Sequence, residues 1–165
     1  MLAILAKILK VLNSEQSPGQ LAMAVSLATI VGITPLLSLH NLLILLVVLW
    51  FRVNLTIFLV FWPLMTILGL AIAPLAEQLG LQILQAPALV PMWESFYNTL
   101  IGRWSNFNYS GVIGALLIAI VLSVVLYPTS KYLINQYRDK WLEKFEQYHI
   151  VKVLKASKLW QLYQS

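Results

Sequence analysis

The chain has 165 residues, 60% of them hydrophobic and only 10% charged, with a net charge of +5 and no cysteine. A soluble globular domain carries about 25% charged residues, so this composition, with a mean hydropathy of +0.81, indicates an integral membrane protein and leaves no length for a separate soluble catalytic domain. The missing cysteines exclude disulfides, haem attachment, iron–sulfur clusters and thiol chemistry within the chain.

Residues 1–16, MLAILAKILKVLNSEQ, place Lys7 and Lys10 inside the apolar stretch rather than before it. No small-x-small site follows, so the segment reads as an amphipathic helix at the cytoplasmic face, not as a signal peptide. Residues 17–127 form the membrane domain. Ser17-Pro18 is a helix start, with proline at the first helical position. Gln20–Phe51 then carries no Asp, Glu, Lys or Arg over 32 residues. As one helix it would be about 48 Å long, against a hydrocarbon core of about 30 Å. Gly32 and Pro35 divide it into two pieces, each short of a full span. The favoured reading of 20–51 is a re-entrant hairpin; one long tilted helix is the rival. The hairpin keeps Arg52 on the same side as Lys7 and Lys10, as the positive-inside rule prefers.

Val53–Ala76 is a second uncharged segment, interrupted by Pro63, Gly69 and Pro74. A kink or break is expected near Trp62. Residues 77–108 read as interfacial, with Trp93, Phe96, Tyr97 and Trp104 at headgroup level. Gly111–Tyr127 is the one clean transmembrane helix, ended by Pro128. Its small residues Gly111, Gly114, Ala115 and Ala119 make a helix-packing face that would allow a homo-oligomer. Residues 128–165 hold seven basic and three acidic side chains and so +4 of the net charge. Leu133, Tyr137, Trp141, Phe145 and Tyr148 share one face of this amphipathic tail. Lys140, Lys144, Trp141 and Phe145 are its expected contacts with anionic lipid or a partner. Nucleic acid is the weaker reading, because no binding motif accompanies the charge. The fold class expected is thus all-α, with short or re-entrant hydrophobic helices, one clean transmembrane helix and amphipathic terminal helices, both termini being cytoplasmic.

Little in the sequence carries chemistry. No acidic residues form a spaced pair inside the apolar segments, and His40 and His149 lie far apart. No metal site, cofactor motif, nucleotide loop or serine-nucleophile motif is present, and the chain is not expected to be an enzyme. Thr34, Ser38 and Asn41, with Asn54 from the next segment, are expected to satisfy the backbone groups that Gly32 and Pro35 leave unpaired. For His40 a packing role is favoured over proton relay or ligand contact. The rival reading makes the breaks at Gly32–Pro35 and Pro63 into half-helix ends aimed at a polar or ionic substrate.

The ordered set Ser17-Pro18, Ala22, Ala24, Gly32-x-x-Pro35, His40, Arg52-x-Asn54 and Trp62-Pro63 resembles a small bacterial inner-membrane family of unknown function, over about Ser17–Gly80. In that family an asparagine commonly precedes the second proline, where this chain has Trp62. The resemblance implies a compact bacterial inner-membrane protein that partners a larger envelope protein. The function expected is a non-catalytic subunit that anchors or docks such a protein, in a setting of lipid transport. The alternative is a small transporter, channel or lipid scramblase built on re-entrant helices.

Overall fold

The computed structural model describes residues 16–51 and 53–141, without the side chains of 140 and 141. The expectations placed on residues 1–15, on Arg52, on the Lys140 and Trp141 side chains, and on Lys144 and Phe145 lie outside the described residues. Among the described residues six α-helices follow one another: α1 Pro18–Ile33, α2 Leu39–Trp50, α3 Leu55–Gln85, α4 Val90–Tyr97, α5 Leu100–Ser105 and α6 Ser110–Gln136, with a π-helical turn at Tyr137–Trp141. Among the described residues there is no strand.

Local chemistry sets the start and end of α1. Ser17 Oγ accepts from the Gln20 amide at 3.3 Å and Gln20 Oε1 accepts from the Ser17 amide at 3.2 Å. This reciprocal pair, with Pro18 in the first turn, fixes where the helix begins. The helix ends at Ile33 because Pro35 drives the residue before it out of the α region; Thr34 has φ −91° and ψ 157°. Ten of the sixteen α1 residues are buried. A helix that is apolar all round has no solvent face, and α1 becomes the inner post of the fold.

Two side-chain clusters give the directions. Leu21, Ala24, Val25, Val53, Ile57, Phe58 and Ile134 share one, and Ile33, Ala76, Ala115 and Ala119 share the other. The first joins the beginnings of α1 and α3 to the end of α6. The second joins the end of α1 to the later part of α3 and the beginning of α6. So α1 and α3 run parallel and α6 runs against both. The Asn54 amide nitrogen donates to Gln16 Oε1, and Arg138 Nη2 donates to the Gln16 carbonyl at 2.9 Å. The starts of α1 and α3 and the end of α6 therefore meet at one end, called proximal below. α2 brings the chain back to that end, and Ile44, Leu45 and Val48 pack it against the core. A Cβ on Gly69 would lie 2.9 Å from Ile33 Cα. Gly69 is the fifteenth of the 31 residues of α3, so the α1–α2 hairpin turns halfway along that helix.

Two expectations are corrected. The 53–76 segment neither breaks at Pro63 nor stops at Ala76: α3 runs unbroken through Pro63 and Pro74 to Gln85. α6 likewise continues through Pro128 to Gln136. Among the described residues two helices, α3 and α6, are long and apolar enough to cross a membrane. Each internal proline removes one backbone bond, but ending the helix in apolar surroundings would orphan several. Threonines one turn on also bond back, Thr66 to the Trp62 carbonyl at 3.1 Å and Thr129 to the Val125 carbonyl at 2.8 Å.

The α3–α6 contact is backbone on backbone. A Cβ on Gly114 would overlap the Ala76 carbonyl and one on Gly80 the Ser110 carbonyl, whereas one on Gly111 would meet nothing within 4 Å. Gly114→Ala should therefore force the helices apart and cost about 1–3 kcal/mol. Thermal unfolding in detergent micelles should show a clear drop in Tm for Gly114→Ala and none for Gly111→Ala; equal behaviour of the two would refute this account of the contact.

Candidate functional site

The hairpin turn collects most of the polar residues singled out above. Pro35 ends α1 and Ser38 precedes α2 with extended backbone, so residues 35–37 cross from one helix to the other without regular helical hydrogen bonds. Asn41, in the first turn of α2, replaces them. Its Nδ2 donates to the Pro35 carbonyl at 2.9 Å, and its Oδ1 lies 2.9 Å from Thr34 Oγ1. The Thr34 hydroxyl is also 2.7 Å from the Ile30 carbonyl, so its single proton is shared between two acceptors. Asn41 is 0% exposed and Thr34 is buried. A buried amide left unpaired would cost about 1–3 kcal/mol; here both of its polar atoms are engaged in closing the turn.

Ser38 and His40 form a second pair. Ser38 Oγ lies 3.0 Å from His40 Nε2, the spacing of a nucleophile and its base. His40 Nδ1 is buried and has no partner among the described residues. A base needs its second nitrogen held by an acceptor, which fixes the tautomer and orients the ring. With the proton on Nε2, the serine oxygen accepts and Nδ1 keeps only an unpaired lone pair. That tautomer avoids a buried orphan N–H.

Above the turn, the segment after α4 folds back on the hairpin. The Phe107 ring is 6.1 Å from His40 and 6.0 Å from Phe96, against which it stacks. Trp93 Nε1 donates to the Ile83 carbonyl at 3.3 Å and ties α4 to the end of α3. The Tyr97 hydroxyl is buried without a partner among the described residues, and burial pushes this phenol above its ordinary pKa. Between the turn and Trp104 runs an open groove of about 420 Å³.

The structure brings Gly32, Thr34, Pro35, Ser38, His40 and Asn41 to one place but not Asn54 or Pro63. Asn54 sits at the proximal end, where its Oδ1 accepts from the Ile57 amide at 2.8 Å and caps α3. It cannot serve the turn, because the whole length of α2 separates them. Pro63 lies inside α3. Gly114, Ala115 and Ala119 are buried against this chain's own helices, so that face is occupied within the protomer. Sequence reasoning missed Phe107, Gly80 and the groove. It also missed Ser26, whose hydroxyl donates to the Ser123 carbonyl at 3.1 Å across α1 and α6. No sequence signal marks these, since each depends on which helices become neighbours.

The chain belongs to a family of uncharacterized proteins conserved in bacteria, DUF2062, whose model matches residues 3–142. That match reaches well beyond Ser17–Gly80 and takes in the turn, the groove and α6. No curated protein and no solved structure matches the chain.

In this family member Asn41 and Thr34 should behave as one unit. Asn41→Ala leaves the Pro35 carbonyl unpaired and should cost about 1–3 kcal/mol. Thr34→Val removes the partner oxygen, and a double-mutant cycle should give a coupling of about 0.5–3 kcal/mol. Unfolding in micelles reads both; strictly additive losses would mean the turn is held by something else.

Proposed function

We propose that this chain is a non-catalytic bacterial inner-membrane subunit that docks a larger envelope protein through the outer face of α2. In this reading α3 and α6 cross the bilayer, α1–α2 is a re-entrant hairpin, and the proximal end faces the cytoplasm. The membrane placement is supported by where the apolar surface lies. Of the most apolar 18 residues of α3 only 11% are buried within the fold, and of α6 only 33%. A core helix of a water-soluble protein would be mostly buried. The proximal end also carries Lys131 and Arg138 at the start of the basic tail, as a cytoplasmic face would.

The single observation that carries the docking role is how α2 divides its surface. Its polar beginning is turned inward, with Asn41 spent on closing the turn. Its outer face presents Leu42, Leu43, Leu46, Leu49 and Trp50, the last 83% exposed. A 12-residue helix is marginal on its own and draws its stability from what packs on it. Half of that packing is supplied by this chain and the other half is open to a lateral partner. Thr34 and Asn41, by contrast, are engaged in closing the turn, which weighs against their lining a transport site there.

Purification from native membranes in mild detergent should recover a larger protein with this chain, and Leu46→Ala with Leu49→Ala should lose it without lowering the membrane level of the chain. Recovery of the wild type alone, as a defined monomer or homo-oligomer, would overturn the docking role. For the topology, a cysteine at Phe51 should react with impermeant reagent only from the cytoplasmic side and one at Asn108 only from the opposite side. Reaction of both from one side would exclude the crossing of α3.

A further inference from the structure

The hairpin stops halfway along α3, so the distal half of the fold lacks the inner post that α1 supplies to the proximal half. α5 and the 106–109 turn fold back towards the hairpin there, and they leave a space beside Trp104. The groove that remains is walled by Leu36, Leu37, Leu39, Leu42 and Leu45 on one side and Trp104 on the other. Leu37 is 91% exposed and Trp104 is 73% exposed. The one polar side chain in the lining is Ser38, whose hydroxyl is already within hydrogen-bond distance of His40. Such a groove offers nothing to a polar ligand and a long apolar wall to hydrocarbon.

A charge adjoins Trp104 in the sequence, on α5 but outside the groove lining. Arg103 precedes Trp104 on α5 and is exposed. It is the only Lys or Arg between Val53 and Ser130 in the sequence. On the topology proposed above it lies at the distal end, where basic residues are disfavoured. Among the described residues no hydrogen bond or ion pair engages its side chain. A guanidinium at headgroup level, next to an interfacial tryptophan, is matched to a phosphate, which it binds through paired, charge-assisted hydrogen bonds.

From this juxtaposition we infer that the protein holds one phospholipid of the distal leaflet, its acyl chain in the leucine–Trp104 groove and its phosphate on Arg103. The inference rests on the membrane reading of the previous subsection and not on the docking role, with which the groove shares only Leu42. It gives the half-depth hairpin a purpose: the lipid completes the distal half of the fold. This site is also separate from the basic tail, which lies at the opposite end of α6.

Native mass spectrometry of the detergent-extracted protein tests it. The wild type should carry one phospholipid adduct. After delipidation, added phosphatidylglycerol should restore the adduct, whereas inorganic phosphate should not bind. Arg103→Gln should weaken rebinding by about tenfold, the value of one lost charge-assisted bond. Trp104→Ala and Leu37→Ala, both at exposed positions where the fold is not at stake, should weaken it as well. Leu70→Ala, on the outer surface of α3 away from the groove, should leave it unchanged. A membrane-extracted protein free of lipid, equal rebinding by all variants, or binding of phosphate alone would each overturn the inference. Recovery of the chain in the soluble fraction without detergent would instead overturn the membrane reading beneath it.

Discussion

Chain reversal at the Thr34–Asn41 turn depends on one constraint: a buried backbone that leaves helical geometry must find other partners for its N–H and C=O groups. Pro35 ends α1 and creates the need. Asn41 meets it with an amide that donates to the Pro35 carbonyl, while its oxygen sits against the Thr34 hydroxyl. Because both atoms are consumed there, the turn can lie deep in apolar surroundings. The hairpin can then be short, and α1 can stand against both α3 and α6 as the most buried helix.

An enclosed central helix has its own requirement, which is that its neighbours come close. Small residues meet it. Gly32 and Gly69 let α1 and α3 approach until backbone meets backbone, and Gly80 and Gly114 do the same for α3 and α6. Packing of this kind draws on dispersion and close fit rather than on expulsion of water, which is how helices associate where the surrounding medium is itself apolar. The large side chains are then free to face outward, and they do so along α2, α3 and α6. The same division explains why α2 is less covered than α1: it is the returning arm of a hairpin whose other arm already fills the centre.

The distal half is built differently. Beyond the turn α3 and α6 still meet through Gly80 and Gly114, and aromatic residues pack beside them. Phe96 and Phe107 stack, His40 sits against Phe107, and Trp93 bonds to the end of α3. These contacts close the space over His40 but leave the leucine wall of the turn open beside Trp104. The proximal end is tied by polar bonds through Gln16, Asn54 and Arg138. The two ends of the fold are thus unlike in both packing and polarity, and the open site falls at the less filled one.

Much of this was legible from local signals. The all-helical class and the apolar character follow from composition. The start of α1 follows from Ser17-Pro18 and Gln20, and its end from Gly32 and Pro35, because capping and the restriction before proline act within a few residues. The roles of Thr34 and Asn41 were also readable, since few polar groups lay within reach of the break. Pro63 and Pro128 misled, because a proline's local cost is outweighed where interrupting the helix would strand several backbone groups at once. Asn54 misled for a related reason: its nearest orphan amides belong to the start of its own helix. Sequence alone therefore determined which stretches are helical and apolar and where the first run must turn. Only the tertiary structure decided which helix is enclosed, which small residues touch, and that a groove opens beside Trp104, because these follow from contacts between residues far apart in the chain.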